Sequence, residues 1–557
     1  MDHTIEKCKW PACAACAVLL LFCASLSAHT DTSHRRWMFP IGATVVQSPA
    51  IGSDGTIYIG TGMFYDYTPV DTLYAIRPDG TLKWKRNVGR AVHSSVALGE
   101  EDNLYFLAGN AENDDRMDAV ILSYDSFGNF RWTSEHIGWM YPQPFTGFTP
   151  AIASDGTVYA CGRYSLFALN KDGTKRWSYD FPLRDMTNWQ TGQIEEVGDH
   201  YSAPTLGPDG TIYVNNWSGG HGPNEYVQGG VYAIHPDGTL KWRTHDAGGT
   251  AAPVIGTDGT IYSAISSYQD SDTPKLLAIN PEDGTLKWSV ETVLYIQASP
   301  SIGPDGTLYA VTSHHPLDVP AWIYAITPEG QIKWKYDTYD DVKDLPPAQQ
   351  NPPDIYNSPA IDSNGLIYFG NEVGLFYAMS PDAEVVWIDN DIWSLHDQGP
   401  ALARDGTLYV ATHSPLGLIA FNTGSRGLAD SPWPKFRRNN TNTGNAAAPE
   451  PPSSVRNFGT SIAFELVGNY PNPFNPETTI EYRLPASEFV QMCIFDLEGR
   501  RVAELVNGWI QAGRQQVRWN GTDDRGQAVP TGVYVCRMRA TAGGSVLQRT
   551  WKLCLVR

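Results

Sequence analysis

The sequence is poor in charged residues, and their balance excludes one large class of partner. Only 18% of the 557 residues are Asp, Glu, Lys or Arg, below the roughly 25% of an average soluble protein. The formal net charge is −20, whereas nucleic-acid binders need a basic surface to neutralise phosphates. We therefore expect no nucleic-acid partner. Residues 458–557 contain eleven Lys and Arg and nine Asp and Glu, a net charge of +2. The preceding 457 residues therefore carry a formal charge of −22.

Cysteine is scarce, and beyond residue 28 it follows no metal-binding pattern. Four of the eight lie in the first 28 residues: Cys8, Cys13, Cys16 and Cys23. The other four are Cys161, Cys493, Cys536 and Cys554. After residue 28 there is no Cys-x-x-Cys and no Cys/His cluster, which argues against a zinc site or a dense disulfide framework. Because the last three occupy strand-like runs, the sequence leaves open either one bridge or buried thiols.

Long hydrophobic runs are also missing after residue 28, so we predict no transmembrane segment. Residues 1–28 instead resemble a secretory signal peptide. Lys7 and Lys9 precede the apolar stretch Ala12–Leu26, and small residues lead to a cleavage site at Ala28. This predicts Sec-type export to a secreted or outer cell-surface location. A lipid anchor on Cys23 is disfavoured, because Phe22 stands where a small residue should precede it.

Turn-forming and aromatic residues are abundant by contrast. The chain has 52 Gly, 39 Pro, 18 Trp and 12% aromatic residues. This composition is typical of short strands joined by tight turns, and it argues against coiled coils, helical bundles and disorder.

A two-part repeat runs through most of the chain. The phrase Ser48–Tyr58 is followed by the phrase Leu73–Trp84, and similar pairs return until eight first phrases have passed. A tryptophan precedes each first phrase, with a mean spacing of about 50 residues. These eight tryptophans are Trp37, Trp84, Trp132, Trp177, Trp242, Trp288, Trp334 and Trp387.

Each repeat predicts four antiparallel strands, because Asp-Gly or a similar pair separates the first strand from the second and the third from the fourth. Repeated radially, such units form a β-propeller. We therefore predict an all-β chain with an eight-bladed propeller over residues 35–445. Arg36–Phe39 is expected to supply the missing fourth strand of the last blade, which removes the sheet edge. Ser431–Pro434 competes for that place, but its prolines suit a central strand poorly.

The repeat resembles the PQQ-like (quinoprotein dehydrogenase-like, BamB-like) propeller repeat, whose signature is Tyr-x-Ala-x-x-x-x-Gly-x-x-x-Trp. Tyr74, Ala75, Gly80 and Trp84 match it, and two further repeats match in the same way. The resemblance implies that the eight repeated tryptophans dock one blade on the next.

Every long connection is expected on one rim of the propeller. These insertions are Glu135–Phe148, Asp180–Tyr201, Asn215–Gln228, Ser266–Lys275, Ser313–Ala321, Tyr336–Tyr356 and Asp389–Gln398. Rings, histidines and carboxylates concentrate there, as binding residues on a rigid scaffold do. The candidate ligand-binding residues are Trp139, Tyr141, Trp189, His200, Trp217, His221, Tyr339, Tyr356, Trp393 and His396. They suit a carbohydrate or protein ligand; the alternative is that the rings pack the loops themselves.

No catalytic, metal or cofactor motif is present, including His-Glu-x-x-His, Gly-x-Ser-x-Gly and the phosphate-binding loops. We predict no cofactor, no metal and no catalytic residue, and favour binding over catalysis. An extracellular enzyme acting on polysaccharide is the alternative. A quinoprotein oxidoreductase is the least favoured, since related PQQ-dependent dehydrogenases usually carry adjacent cysteines, which the chain lacks after residue 28.

Beyond the propeller, residues 446–461 have the Pro/Ala/Ser composition of a linker. Residues 462–557 then predict a small Ig-like β-sandwich, with alternating strands at Phe489–Asp496, Gln515–Trp519 and Gly532–Met538.

This last module resembles the type A C-terminal sorting domain of the type IX secretion system, which is related to the FlgD Ig-like fold. The matching segments are Asn469–Pro476, Thr478–Ile480, Phe495–Arg500, Ala512–Gly513, Trp519–Gly521, Gly532–Tyr534 and Lys552–Arg557. The resemblance implies recognition by outer-membrane secretion machinery. Trp551–Cys554 departs from the commoner terminal run, and a plain Ig-like stalk is the alternative.

Overall fold

The computed structural model describes residues 34–43, 45, 47–62, 71–112, 116–140, 148–162, 164–182, 184–187, 194–197, 200–217, 229–244, 248–265, 273–313, 321–341, 354–390, 392, 399–412, 417–447, 465–470, 474–484, 488–496, 499–510, 513–542 and 545–556. The predicted signal peptide lies outside them. The described residues form strands and two short 3-10 turns, Glu100–Asp102 and Thr338–Asp341, without an α-helix. None of them forms a helix long and apolar enough to cross a membrane. The chain divides into two compact units, Met1–Pro451 and Pro452–Arg557.

The first unit contains eight antiparallel sheets, each built on four strands, which confirms the predicted eight-bladed propeller. Blades 1 to 4 comprise Ala50–Ile51, Ile57–Gly60, Thr72–Ile76 and Leu82–Asn87; Ala97–Leu98, Leu104–Glu112, Arg116–Tyr124 and Phe130–Thr133; Ala151–Ile152, Val158–Cys161, Ser165–Leu169 and Lys175–Asp180; and Thr205–Leu206, Ile212–Trp217, Gly230–Ile234 and Leu240–Arg243. Blades 5 to 8 comprise Val254–Ile255, Ile261–Ile265, Lys275–Ile279 and Leu286–Glu291; Ser301–Ile302, Leu308–Val311, Trp322–Ile326 and Ile332–Asp337; Ala360–Ile361, Ile367–Gly370, Phe376–Met379 and Val385–Asp389; and Ala401–Leu402, Thr407–Ala411, Gly417–Asn422 and Arg35–Pro40. Short additional strands are Ala91–Val92, Trp139–Met140, Arg184–Thr187, Ile194–Val197 and His200–Tyr201.

The turn between the first and second strands is formed by local side-chain chemistry. In blade 1 the Asp54 carboxylate accepts the backbone N–H of Thr56 at 2.9 Å. Gly55 follows Asp54 with φ +82°, a conformation that only glycine adopts without strain. Lys83 of the fourth strand pairs with Asp54 at 2.9 Å. The hydrogen bonds from Lys83 and Thr56 outweigh the desolvation of Asp54, and its pKa lies below the ordinary value.

The N-terminal strand closes the ring, as the sequence predicts. Arg35–Pro40 pairs antiparallel with Gly417–Asn422, the third strand of blade 8. The Trp37 ring lies 5.7 Å from that of Tyr409, the tyrosine of the second strand of the same blade. Arg35 also reaches the buried carboxylate of Asp389 in blade 7, with Nε–Oδ2 2.6 Å and Nη2–Oδ1 2.5 Å. Such a bidentate pair is stronger and more specific than a single contact.

All eight repeated tryptophans make one recurring contact, and seven of them make a second. Their rings pack on the second-strand tyrosine of the same blade, with centroids 5.7–6.0 Å apart. Seven of the eight indole N–H groups donate to a backbone carbonyl of the next blade, in the turn that joins its strands three and four, at 2.7–3.1 Å. A Cβ added at Gly330 of that turn would lie 2.7 Å from Trp288. Blade 7 carries Ala383 there, at φ +66°.

After Gly417–Asn422, the third strand of blade 8, the chain returns to the propeller axis and fills one end of it. Residues 431–446 form this axial plug. The innermost strands have a free edge towards the axis, and the plug accepts hydrogen bonds from their backbone N–H groups. The pairs are Ile51 with Asn440, Leu98 with Thr441, Ile152 with Thr443, Leu206 with Gly444, Ile302 with Trp433 and Ile361 with Pro434. The plug thereby satisfies donors that would otherwise be buried without partners.

The side chains of the plug continue this role. The buried guanidinium of Arg437 donates to the backbone carbonyls of Pro204 at 2.7 Å and Pro150 at 3.2 Å. Complete burial lowers its pKa to about 9. The Asn440 side chain exchanges two hydrogen bonds with the backbone of Leu402, which engages blade 8. Ser431–Pro434 is therefore part of the plug and does not compete for the fourth strand.

The second unit is a two-sheet β-sandwich, as predicted. One sheet contains Glu465–Tyr470, Thr478–Leu484 and Gly513–Trp519; the other contains Arg501–Ile510, Glu488–Phe495, Gly532–Ala542 and Ser545–Leu555, in that order. Trp519 is buried between Phe474 and Tyr534, with ring centroids 5.4 and 5.2 Å away. Across both units, the four described cysteines are free thiols, so no bridge joins the sandwich strands.

Candidate ligand-binding rim

The two rims of the propeller differ in construction. The short-turn rim carries the turns between strands one and two and between strands three and four, together with the axial plug. The long-loop rim carries the connections between strands two and three and between blades. The predicted candidates Tyr141, Trp189, His221, Trp393 and His396 lie outside the described residues.

Three further candidates are placed by their backbone. Trp139 lies on a short strand that pairs with the third strand of blade 2, and its register partner there is Asp118. His200 and Trp217 are direct register partners at the end of the second strand of blade 4. The fold therefore brings His200 and Trp217 together and places Trp139 two blades away.

Tyr339 and Tyr356 are the two candidates whose side chains are described. Tyr339 lies in the 3-10 turn Thr338–Asp341, and 37% of it is exposed. The hydroxyl of Tyr356 donates to the buried carboxylate of Asp354 at 2.7 Å. Both tyrosines belong to the connection between blades 6 and 7.

A carboxylate pair that the sequence analysis missed lies beside Tyr356. The backbone N–H of Glu372, in the turn between strands two and three of blade 7, donates to the carbonyl of Asp354 at 3.0 Å. Burial and the nearby Asp354 charge raise the pKa of Glu372 to about 7. A carboxyl with such a pKa exchanges protons near neutral pH. The two residues are 18 positions apart in separate loops, so no sequence motif joins them.

This environment predicts a pH-dependent effect of Glu372→Gln. Between about pH 4.5 and 7 the folded chain retains a proton that the unfolded chain has lost, so Glu372 lowers stability progressively as the pH rises. We expect Glu372→Gln to raise the urea midpoint at pH 8 relative to the parent, and to have a smaller effect at pH 5. Glu384→Gln, at an exposed position of the same blade, is the control. An equal shift at both pH values would contradict the assignment.

A second acidic group lies nearby. The Tyr336 hydroxyl donates to both oxygens of Asp341, at 3.0 and 3.1 Å. Burial, with the Asp341 charge, raises the pKa of Tyr377 well above its usual range. This tyrosine is therefore a neutral phenol, stacked on Phe369 with ring centroids 4.8 Å apart.

The described histidines and acids make no metal centre. Among the described residues, no group of three or more His, Cys, Asp or Glu side chains is arranged to hold an ion. His93 is partly buried, and desolvation lowers its pKa to about 4. It is therefore neutral at physiological pH.

Comparison with solved structures finds several chains of low sequence identity. BamB from Moraxella catarrhalis is 13% identical, with 70% of this chain and 99% of that chain covered and a TM-score of 0.48. A europium-containing methanol dehydrogenase is 14% identical, with 69% and 85% covered and a TM-score of 0.47. PorZ, described as an essential surface component of the type IX secretion system of Porphyromonas gingivalis, is 12% identical, with 90% and 69% covered and a TM-score of 0.40.

Comparison with sequences gives the family. No curated protein matches the chain significantly. The family model described as FlgD Ig-like domain matches residues 475–544. The model described as outer membrane protein assembly factor BamB matches residues 25–228 and 227–390, well over half of the chain. The protein therefore belongs to the family of the outer membrane protein assembly factor BamB, whose PQQ-like propeller its eight blades reproduce.

Proposed function

We propose that the protein is a secreted or surface-displayed, non-enzymatic binding propeller that engages a carbohydrate or protein ligand through its long-loop rim. The observation that carries this proposal is the asymmetry of the two ends. Short turns and the axial plug occupy one end, whereas the connections between strands two and three and between blades begin and end at the other. Variable loops on a rigid, closed scaffold are a common arrangement for recognition.

The described part of the rim has suitable chemistry. Tyr339 presents an exposed ring, and Tyr356 and Asp354 form a polar pair close to Glu372. Aromatic rings beside hydrogen-bonding groups suit sugars and peptide side chains, since a ring covers apolar faces while carboxylates accept hydroxyl or amide protons.

One observation favours catalysis as a second candidate. Glu372, with its pKa of about 7, and the neighbouring Asp354 are the kind of carboxyl pair that protonates a leaving group and activates a nucleophile. An extracellular enzyme that cleaves polysaccharide would use such a pair.

We further propose that the C-terminal sandwich is a sorting domain read by outer-membrane type IX secretion machinery. Its last strand, Ser545–Leu555, lies at the end of a sheet and pairs on one side with Gly532–Ala542. The backbone of Phe474, in the predicted motif, bonds Cys554 and Val556 on the other side. Trp551 and Val556 remain exposed at 40% and 48%, available for recognition.

Retention of the full chain on arrays of glycans and peptides tests the binding role. We expect Tyr339→Ala to weaken retention of the bound ligand about tenfold, because exposed aromatic anchors dominate such contacts. Phe127→Ala, at a ring 70% exposed on the short-turn rim, should leave retention unchanged. Release of cleaved products that survives Tyr339→Ala and is abolished by Glu372→Gln would instead establish the enzyme.

A further inference from the structure

A cavity of about 420 Å³ lies on the short-turn rim, at the opposite end of the propeller from the long loops. It opens between the turn that joins strands one and two of blade 8, the segment 423–430 that follows the third strand of that blade, and the axial plug. Its volume falls within the range of about 300–1,000 Å³ usual for small-molecule sites. None of the sequence motifs pointed to this region.

Three arginines line the cavity and reach it from separate segments. Arg404 belongs to the turn of blade 8, Arg426 to the returning segment and Arg438 to the plug. Asp430 is the single acid among the lining residues, so the cavity carries a formal charge of +2. That concentration of positive charge is unexpected in a region of the chain whose net charge is −22.

The backbone of two of the arginines is held by hydrogen bonds. The N–H of Arg426 donates to the hydroxyl of Ser363 in blade 7 at 2.9 Å. The N–H of Arg438 donates to the carbonyl of Lys435 within the plug at 2.9 Å, and Arg438 adopts the left-handed conformation, with φ +73°. The three arginines thus reach one space from three separate segments, two of which are anchored by these bonds.

The position of Arg404 is unusual within the repeat. The residue before the turn Asp or Asn is Ser53, Ser154, Pro208, Thr257, Pro304 or Ser363 in six other blades. Blade 8 carries an arginine there, exposed and next to the cavity. The cations that pair with turn acids in other blades, such as Lys83 and Lys287, come from the fourth strand instead.

The neutral polar groups of the lining already have structural partners. Ser431 donates its hydroxyl to the carbonyl of Ile302, and the amide of Asn440 is engaged with Leu402. The guanidiniums supply most of the hydrogen-bond donors of the lining, since each has five N–H groups and accommodates several acceptors at once. Guanidinium forks match carboxylate, phosphate and sulfate oxygens in geometry as well as charge.

We infer that this cavity binds a small organic anion carrying carboxylate, phosphate or sulfate groups. The site is separate from the long-loop rim, and its occupancy does not depend on the ligand proposed for that rim. A bound anion would link the plug to blade 8 through Arg438 and Arg404, and would thereby stabilise the folded propeller.

Calorimetric titration of the full chain with citrate, inorganic phosphate and inorganic sulfate, at constant ionic strength set with NaCl, tests the inference. We expect one saturable site for at least one of the three. Preference for citrate would identify a carboxylate ligand. Preference for phosphate would identify a phosphate ester, and preference for sulfate a sulfate ester. Absence of saturable heat from all three would overturn the proposal.

Matched variants locate the binding. Arg404→Gln and Arg426→Gln should each weaken the affinity at least tenfold with little change in the thermal midpoint of the unliganded protein, because both side chains are exposed. Asp430→Asn should tighten binding by removing the one competing charge. Arg77→Gln, at an exposed arginine of a short-turn-rim turn in blade 1, is the control. Unchanged affinity in the Arg404→Gln/Arg426→Gln double variant would also overturn the assignment.

Discussion

A chain lacking residues 34–40 is expected to lose the cooperative unfolding transition of the propeller and to aggregate. The deletion removes the fourth strand of blade 8, so Gly417–Asn422 becomes an unpaired edge, and such edges recruit other chains. It also removes the Arg35 pair with Asp389 and leaves that buried carboxylate without its guanidinium. Equilibrium denaturation followed by tryptophan fluorescence, with light scattering, measures the effect.

Single substitutions in the same strand make the test specific. Trp37→Ala should lower the free energy of unfolding by about 3 kcal/mol, since it deletes a large packed ring and the bond to the Pro78 carbonyl. Met38→Ala, at the adjacent residue, 48% exposed, should change it by less than about 0.5 kcal/mol. Equal midpoints for the parent and the truncated chain would show that the ring closes by other means.

Deletion of Phe464–Arg557 is expected to abolish surface display and to leave a folded propeller in the periplasm. The reason is that the proposed address lies wholly within the second compact unit. Protease accessibility on intact cells and fractionation measure the outcome in a host with type IX machinery. An isogenic host without that machinery should show the same periplasmic retention for the full chain.

Milder changes separate recognition from misfolding of the sandwich. Trp551→Ala and Lys552→Ala alter exposed side chains of the terminal strand and should reduce display severalfold while the purified chain still unfolds cooperatively. Arg525→Ala, at an exposed turn residue of the same unit, should leave display unchanged. Surface display that persists after deletion of the whole module would refute the sorting role.

Much of the propeller could be predicted because its determinants are local and repeated. Asp54 and Gly55 specify a turn by themselves, and the spacing of Trp84 and its equivalents counts the blades. The role of Trp37 followed from the same count. It occupies a fourth-strand position ahead of the first blade, and no first three strands precede it in the chain. The axial plug has no such signal. Its residues, such as Asn440 and Thr441, are recognisable only when the free edges of the inner strands face them.

The candidate sites were less predictable for a related reason. Rings and histidines in long loops identified the rim, but Asp354 and Glu372 meet only because two connections converge in blade 7. The arginine cavity is assembled from Arg404, Arg426 and Arg438, which lie in dissimilar sequence contexts. The net charge of the chain gave no indication of this cavity either, because a small basic cluster changes a strongly acidic total very little.

The closure of the ring has a consequence for how the protein folds. Asn442 of the plug bonds the carbonyl of Pro49, 393 positions away along the chain, and the strand at Arg35–Pro40 meets its partner only after Gly417. Contacts this distant in sequence slow folding, because loop-closure entropy opposes them until the whole segment is present. The innermost strands of the early blades therefore have no partners for these backbone donors until the last part of the propeller segment arrives, and we expect both ends of that segment to dock late in folding.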